Sequence, residues 1–208
     1  IYGDMDVNER LEYLDREYLS DFDVSDVDIH ANIERQAAFD KPVYETKPYA
    51  ITEDESLEDN TYLSYNAVIG TSVDDKLYLA FQILDYALVM TPGAPVKQAL
   101  LDAGISTDVY SSYETSLYQP VYSIVAKNSN SKEQDRFVSV INDTLEKLVK
   151  DGINERTIEA GINYYEFKYR EADYGPYPKG LMYYLTMMDS WLYDETKPFI
   201  HIEAGDTF

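Results

Sequence analysis

Cysteine is absent from this 208-residue chain, which excludes disulfides, thiol nucleophiles and cysteine-ligated zinc or iron–sulfur sites. Histidine is nearly absent too: His30 and His201 are the only two imidazoles. Basic residues are scarce, 17 against 39 acidic, and the formal charge is −22 at pH 7. Without a run of Lys or Arg to release counterions from phosphate, that balance argues against nucleic acid, and equally against an anionic membrane surface. It favours basic partners, although an acidic surface kept for solubility accounts for the same charge. No apolar run near the ~18 residues of a membrane span stands out, and the start lacks a signal-peptide pattern. A GxSxG elbow, a GxGxxG loop and a GKS/T loop are all missing, so nucleophile-elbow hydrolysis and phosphate cradling have no carrier.

What is present is ordinary globular composition, 45% hydrophobic and 27% charged, with 21 tyrosines as its one oddity. The chain is organised around Lys76 to Gly104. Leu77, Ala80, Phe81, Leu84 and Leu88 recur at helical spacing, Thr91-Pro92-Gly93 breaks the helix, and Pro95 opens a short second one that Gly104 closes. Upstream, Ile1-Tyr2 reads as a strand end. Asn8 is the expected cap of a helix over Glu9 to Phe22 with a stripe on Leu11, Leu14, Tyr18, Leu19 and Phe22. Strands are predicted at Tyr49 to Thr52 and at Thr61 to Ile69, the latter with Leu63, Tyr65, Ala67 and Ile69 on one face. A strand pair follows at Val109 to Leu117 and Val121 to Lys127, with Pro120 at an edge or corner. Helices are predicted over Glu133 to Lys150 (stripe on Phe137, Val140, Ile141, Leu145 and Leu148), over Glu155 to Glu171 behind an Asn154 cap, and over Lys179 to Tyr193 through Leu181, Leu185, Met188 and Leu192. The sum is an α+β fold: a mostly antiparallel sheet with helices packed on one face.

Candidate chemistry is thin. Asp21, Asp23 and Ser25 fall at the first ligand positions of a calcium loop, but Asp26 stands where that loop needs glycine and Asn32 where it needs glutamate, so a solvated acidic linker is expected. Glu166, Glu171 and Asp173 near Gly175 offer a carboxylate pair that an acid-rich chain provides by chance. Tyr164, Tyr165, Tyr169, Tyr174, Tyr177, Tyr183 and Tyr184 crowd the Gly175-Pro176-Tyr177-Pro178 bend. They read as packing against a neighbouring domain or as a peptide- or sugar-binding surface. A zinc peptidase needs two imidazoles on one helical face and a glutamate to activate water. His30 and His201 supply neither spacing, so both are expected to be exposed and the chain is expected to hold no catalytic, cofactor or metal residue.

The strings ILDYALVMTPGAPVKQALLDAGI, NAVIG and READYGPYPKGLMYYL resemble the presequence-protease branch of the insulinase/pitrilysin zinc metallopeptidases, over nearly the whole chain. The resemblance implies a mitochondrial-processing-peptidase-like (LuxS-like) repeat domain, truncated before its last elements. It divides the chain into residues 1–28, the final strand and helix of a catalytic domain, 29–48, a linker, and 49–208, the second, non-catalytic repeat, incomplete at its end. Zinc would belong to the parent protein, bound in its inverted HxxEH motif by the domain before Ile1. This domain would pack on the catalytic one, and with it wall a chamber for unfolded peptides. A start at Ile1 and a stop at Phe208 after a Gly-Asp turn fit a piece of a longer polypeptide. A bacterial cytoplasm is the expected location, with an organelle matrix also compatible. Strand edges left open by truncation would allow self-association. The alternative reading is a stand-alone acidic, Tyr-rich module that binds peptides or glycans.

Overall fold

In the computed structural model, which describes residues 3–23 and 33–204, the Asp75–Asp102 stretch is the structural centre. Helix α1 (Val7–Glu17) precedes strand β1 (Thr61–Val68), and helix α2 (Asp75–Asp85) starts where the Asp74 carboxylate accepts the Leu77 N–H at 3.0 Å. The helix does not run on unchanged to Leu88. Its last turn, Tyr86–Met90, widens to a π-helix closed by Thr91 N–H to the Tyr86 carbonyl at 3.1 Å. Pro95 then opens helix α3 (Pro95–Asp102). Gly104 takes a φ of 67°, and the bonds Gly104 N–H to Leu101 O (2.9 Å) and Ile105 N–H to Leu100 O (3.2 Å) satisfy the orphan carbonyls of the helix end.

Strands β2 (Asp108–Glu114) and β3 (Val121–Ser129) complete a three-stranded antiparallel sheet of order β1-β3-β2. The register sets Ala126 between Leu63 and Val109, and Tyr122 between Ala67 and Tyr113. Because side chains alternate, Leu63, Val109, Tyr122, Ile124 and Ala126 all point to one face. There they meet Leu88 and Val89 from the π turn, Val96 and Leu100 from α3, and Phe137 and Ile141 from helix α4 (Gln134–Asp151). The opposite face is polar, with the Asn66 side-chain carbonyl accepting from the hydroxyls of Ser64 and Ser123 at 2.9 and 2.7 Å. The α+β arrangement expected from the sequence, helices on one face of an antiparallel sheet, is what forms.

Helix α5 (Glu155–Glu171) begins at Asn154, whose side chain accepts the Arg156 N–H at 3.0 Å, and crosses α2 at Gly161. A Cβ on Gly161 would sit 3.2 Å from the Tyr86 ring and 3.4 Å from the Ile83 carbonyl, so glycine is what permits this close approach. Helix α6 (Lys179–Trp191) and the short helix α7 (Ile200–Glu203) return the chain to α2.

Several expectations are corrected. Tyr49 to Thr52 is not a strand. Both backbone groups of Thr52 serve a local turn, its N–H donating to Glu55 Oε2 (2.8 Å) and its carbonyl accepting from Glu55 N–H (3.1 Å), so it has nothing to offer a ladder. Helix α1 is capped by Asp6, not Asn8, through the Glu9 N–H at 3.0 Å, and it ends at Glu17 before a 3₁₀ turn over Leu19–Asp21. Its stripe is present but nothing among the described residues covers it, since Leu11, Leu14, Tyr18, Leu19 and Phe22 are all exposed. The α6 stripe also faces outward, with Leu181 47% and Leu192 62% exposed. A span-length apolar stretch is also present, contrary to expectation. Asp75–Asp102 contains an 18-residue window of mean hydropathy 1.2, long and apolar enough to cross a membrane by length and composition. In this fold a turn at Thr91 to Ala94 divides it, and Leu88, Val89, Val96 and Leu100 lie in the core. The strand end expected at Ile1-Tyr2 lies outside the described residues.

Candidate functional site

A recess that gathers titratable and aromatic side chains lies where α2, β2 and α5 meet. Helical spacing puts Tyr78, Gln82 and Asp85 on one face of α2, and strand alternation turns Ser111 and Tyr113 toward them. Tyr165 and Lys168 of α5 close the third side of a cavity of about 310 Å³. Asp85 is 6% exposed and accepts a hydrogen bond from the Tyr122 hydroxyl at 2.9 Å. Burial pushes its carboxyl above the usual range, opposed by the nearby hydroxyls of Ser111 and Tyr122. Ser111 Oγ is itself buried and lacks a well-formed hydrogen bond. Lys168 stands at the mouth, its ammonium 5.7 Å from the centre of the Tyr165 ring.

The surrounding phenols are held neutral. Burial raises Tyr78, Tyr122 and Tyr165, and pushes Tyr113 up to about 12 with help from Asp74. They are therefore hydrogen-bond donors and ring surfaces at neutral pH, not bases. Asp189 of α6 is raised to about 6, by burial first and Glu114 second, against a hydrogen bond from Thr115. The sheet-side rings form a connected set: Phe81 lies 5.8 Å from Tyr113 and 5.9 Å from Tyr122, and Tyr78 lies 6.3 Å from Tyr113. Sequence reasoning missed Asp85 and Asp189. The available signal was an acid lodged inside the apolar run ILDYAL.

The residues singled out from sequence are dispersed. Glu166 pairs with Arg170 at 2.6 Å, Asp173 accepts the Gly175 N–H at 2.8 Å, and neither these two nor Glu171 lines the recess. The tyrosine group divides between roles. Tyr165 is buried, Tyr164 stacks on Tyr86 at 5.2 Å, Tyr174 meets Tyr183 edge-on at 5.9 Å, and Tyr177 is 61% exposed. Asp21 and Asp23 are exposed, while Ser25, Asp26, Asn32 and His30 lie outside the described residues.

His201 is not exposed, contrary to expectation. It is 0% accessible and stacks on Tyr78 with ring centroids 3.8 Å apart. The tail is drawn there by Ser190 Oγ donating to the Lys197 carbonyl (2.7 Å) and by Lys197 Nζ donating to the Val73 carbonyl (3.3 Å). Burial pushes the imidazole down to about 4, with Ser72 and Asp75 opposing. Among the described residues no group of three or more His, Asp or Glu is placed to hold a metal ion.

A helix-on-sheet domain of this order has a family. Residues 1–165 match the model of the Peptidase M16 inactive domain. The chain belongs to this family. It is similar to Protein HypA of Clostridium perfringens (strain 13 / Type A), 41% identical over 203 residues, which is 98% of this chain but 21% of that protein. It is also similar to Presequence protease 1, chloroplastic/mitochondrial, of Arabidopsis thaliana, 32% identical over 195 residues, 93% of this chain and 18% of that protein. The chain thus spans about a fifth of the length of these curated relatives. Among solved structures, a chain from Bordetella pertussis Tohama I superposes with a TM-score of 0.56 at 13% identity, covering 71% of this chain and 79% of that one. The inactive peptidase domain of a Bordetella parapertussis protein does so at 0.52 and 13%, covering 70% and 84%. At such identities these two establish the fold alone. The family match and the presequence-protease relatives agree with the resemblance of the ILDYALVMTPGAPVKQALLDAGI string, and the chain is a non-catalytic metallopeptidase domain.

Proposed function

We propose that this M16 inactive domain is one wall of the substrate chamber of a zinc-dependent peptidase that degrades unfolded peptides. The observation that carries the reading is the uncovered apolar stripe of α1, with Leu11 and Leu14 exposed, on a chain that matches the family's inactive domain. A helix of that kind needs a partner surface. The reading assigns residues 1–28 to the end of the preceding catalytic domain, 29–48 to a linker and 49–208 to the second repeat, incomplete at its end. Residues 33–48 support this division: they are exposed and without regular structure, tied to the body where Gln36 N–H donates to Gln119 Oε1 at 2.7 Å and Gln119 Nε2 returns to the Gln36 carbonyl at 3.2 Å. The catalytic domain of the same polypeptide supplies the zinc and the bound water that attacks the peptide bond. A bacterial cytoplasm fits the reading, as does an organelle matrix.

The test compares this chain with the full-length polypeptide that carries it. Zinc content and cleavage of a quenched, unstructured peptide are measured on both. About one zinc per molecule and cleavage only in the full-length polypeptide is the expected result. Zinc binding or cleavage by the 208-residue chain itself overturns the assignment.

A further inference from the structure

The recess between α2, β2 and α5 has a use that a packing role does not require. Its volume, about 310 Å³, sits at the lower end of ligand pockets and suits one side-chain-sized group. A carboxylate offers about four acceptor positions; the Tyr122 hydroxyl fills one of those on Asp85 and the Ser111 hydroxyl lies near another, which leaves acceptor capacity for a ligand. No Lys or Arg among the described residues pairs with Asp85. A buried carboxylate left in that state is costly unless a donor or a cation reaches it. Tyr78, Tyr113 and Tyr165 line the same space, and Ser111 Oγ, beside Asp85 and Tyr122 without a well-formed hydrogen bond, adds a second hydroxyl to it. Carboxylate, ring faces and nearby hydroxyls together match one chemistry. A guanidinium is planar, presents a fork of N–H donors to a carboxylate and stacks on aromatic faces, and it sheds water more readily than an ammonium.

We propose that this recess binds a guanidinium group, anchored on the Asp85 carboxylate and flanked by the rings of Tyr78, Tyr113 and Tyr165. Lys168 marks the entrance rather than the seat, since its ammonium lies over the Tyr165 ring and its side chain is exposed. The overall charge of −22 raises the local concentration of such a cation before it reaches the recess. An arginine side chain, on a peptide or on another protein surface, presents this group. The site goes beyond the chamber-wall reading and does not depend on it: a polypeptide that holds no zinc would still bind the cation.

The test is calorimetric titration of the full-length polypeptide with butylguanidinium, its neutral isostere butylurea, and butylammonium. Butylguanidinium is expected to bind, with butylurea weaker by about tenfold or more, the factor expected when a hydrogen bond to a charged group is lost. Asp85→Asn is expected to weaken butylguanidinium by a similar factor while leaving the thermal midpoint within a few degrees. Equal binding of butylurea by the unaltered protein overturns the proposal without recourse to any variant. So does undiminished guanidinium binding in a folded Asp85→Asn protein. Butylammonium binding more tightly than butylguanidinium overturns the assignment to a planar, stacked cation.

Discussion

At the scale of single residues, two buried titratable groups set opposing pH dependences. His201 has a folded value near 4 against an ordinary 6.5, so the unfolded chain binds the extra proton between those values. Its burial is therefore harmless above pH 6.5 and costs stability as pH falls toward 4, by about 3 kcal/mol at most. Asp189 works the other way. Its carboxyl is raised to about 6 from 3.8, so the folded state holds that proton first and gains stability as pH falls through the same window. The two are separated by difference. His201→Phe keeps an aromatic ring against Tyr78 but cannot take up a proton. Urea unfolding of both proteins at pH 7 and pH 5 is expected to show a smaller loss, or a net gain, at pH 5 in the variant. Parallel pH profiles would mean that His201 titrates as if it were exposed.

At the scale of elements, the crossing of α5 over α2 depends on the missing side chain of Gly161. Gly161→Leu forces atoms into the space held by Ile83 and Tyr86, and overpacking of that kind costs about 1–3 kcal/mol. The expected readout is a lower urea midpoint with an unchanged slope. The near-UV circular dichroism of the packed aromatic rings should change as well, because α5 carries Tyr165 on one wall of the recess. Helix α1 predicts the opposite. It contains no buried residue, so Leu14→Glu should leave the unfolding midpoint of the 208-residue chain unchanged within about 0.5 kcal/mol. The same substitution should destabilise the full-length polypeptide, where the proposed function seats this stripe on the catalytic domain. A loss in the short chain alone would place the partner of α1 within it.

At the scale of the whole molecule, a charge of −22 on 208 residues opposes compaction through self-repulsion. Salt screens that repulsion, with a Debye length that shortens from about 30 Å at 0.01 M to about 8 Å at 0.15 M. Raising sodium chloride over this range is expected to lift the thermal midpoint by about 2–4 °C, equivalent to about 1 kcal/mol for a chain of this size. A midpoint that falls with salt would show that local ion pairs outweigh net repulsion. The visible pairs make that outcome unexpected: Lys97–Asp108 at 3.4 Å and Arg136–Glu133 at 2.6 Å are surface contacts, open to screening.

Elements whose causes are local were legible in the chain alone. Pro95, Gly104 and Gly175 set starts and stops through backbone geometry, Asn154 does so through its capping side chain, and the alternation of Leu63, Tyr65 and Ala67 marked one strand face. The strings that carry the family resemblance are of the same kind, short and contiguous. Features that depend on partners far along the chain were not legible there. Asp85 became a buried acid because β2 and α5 close over it, from Ser111 and Tyr165. His201 became a core residue because the tail returns to Tyr78, 123 positions away by number (201 against 78). The outward turn of Leu181 and Leu192 belongs to the same class, since periodicity identifies an apolar stripe but not which surface lies opposite it. Helical spacing is a property of a few adjacent turns, whereas burial and the pKa shifts that follow from it are properties of whichever elements arrive from elsewhere.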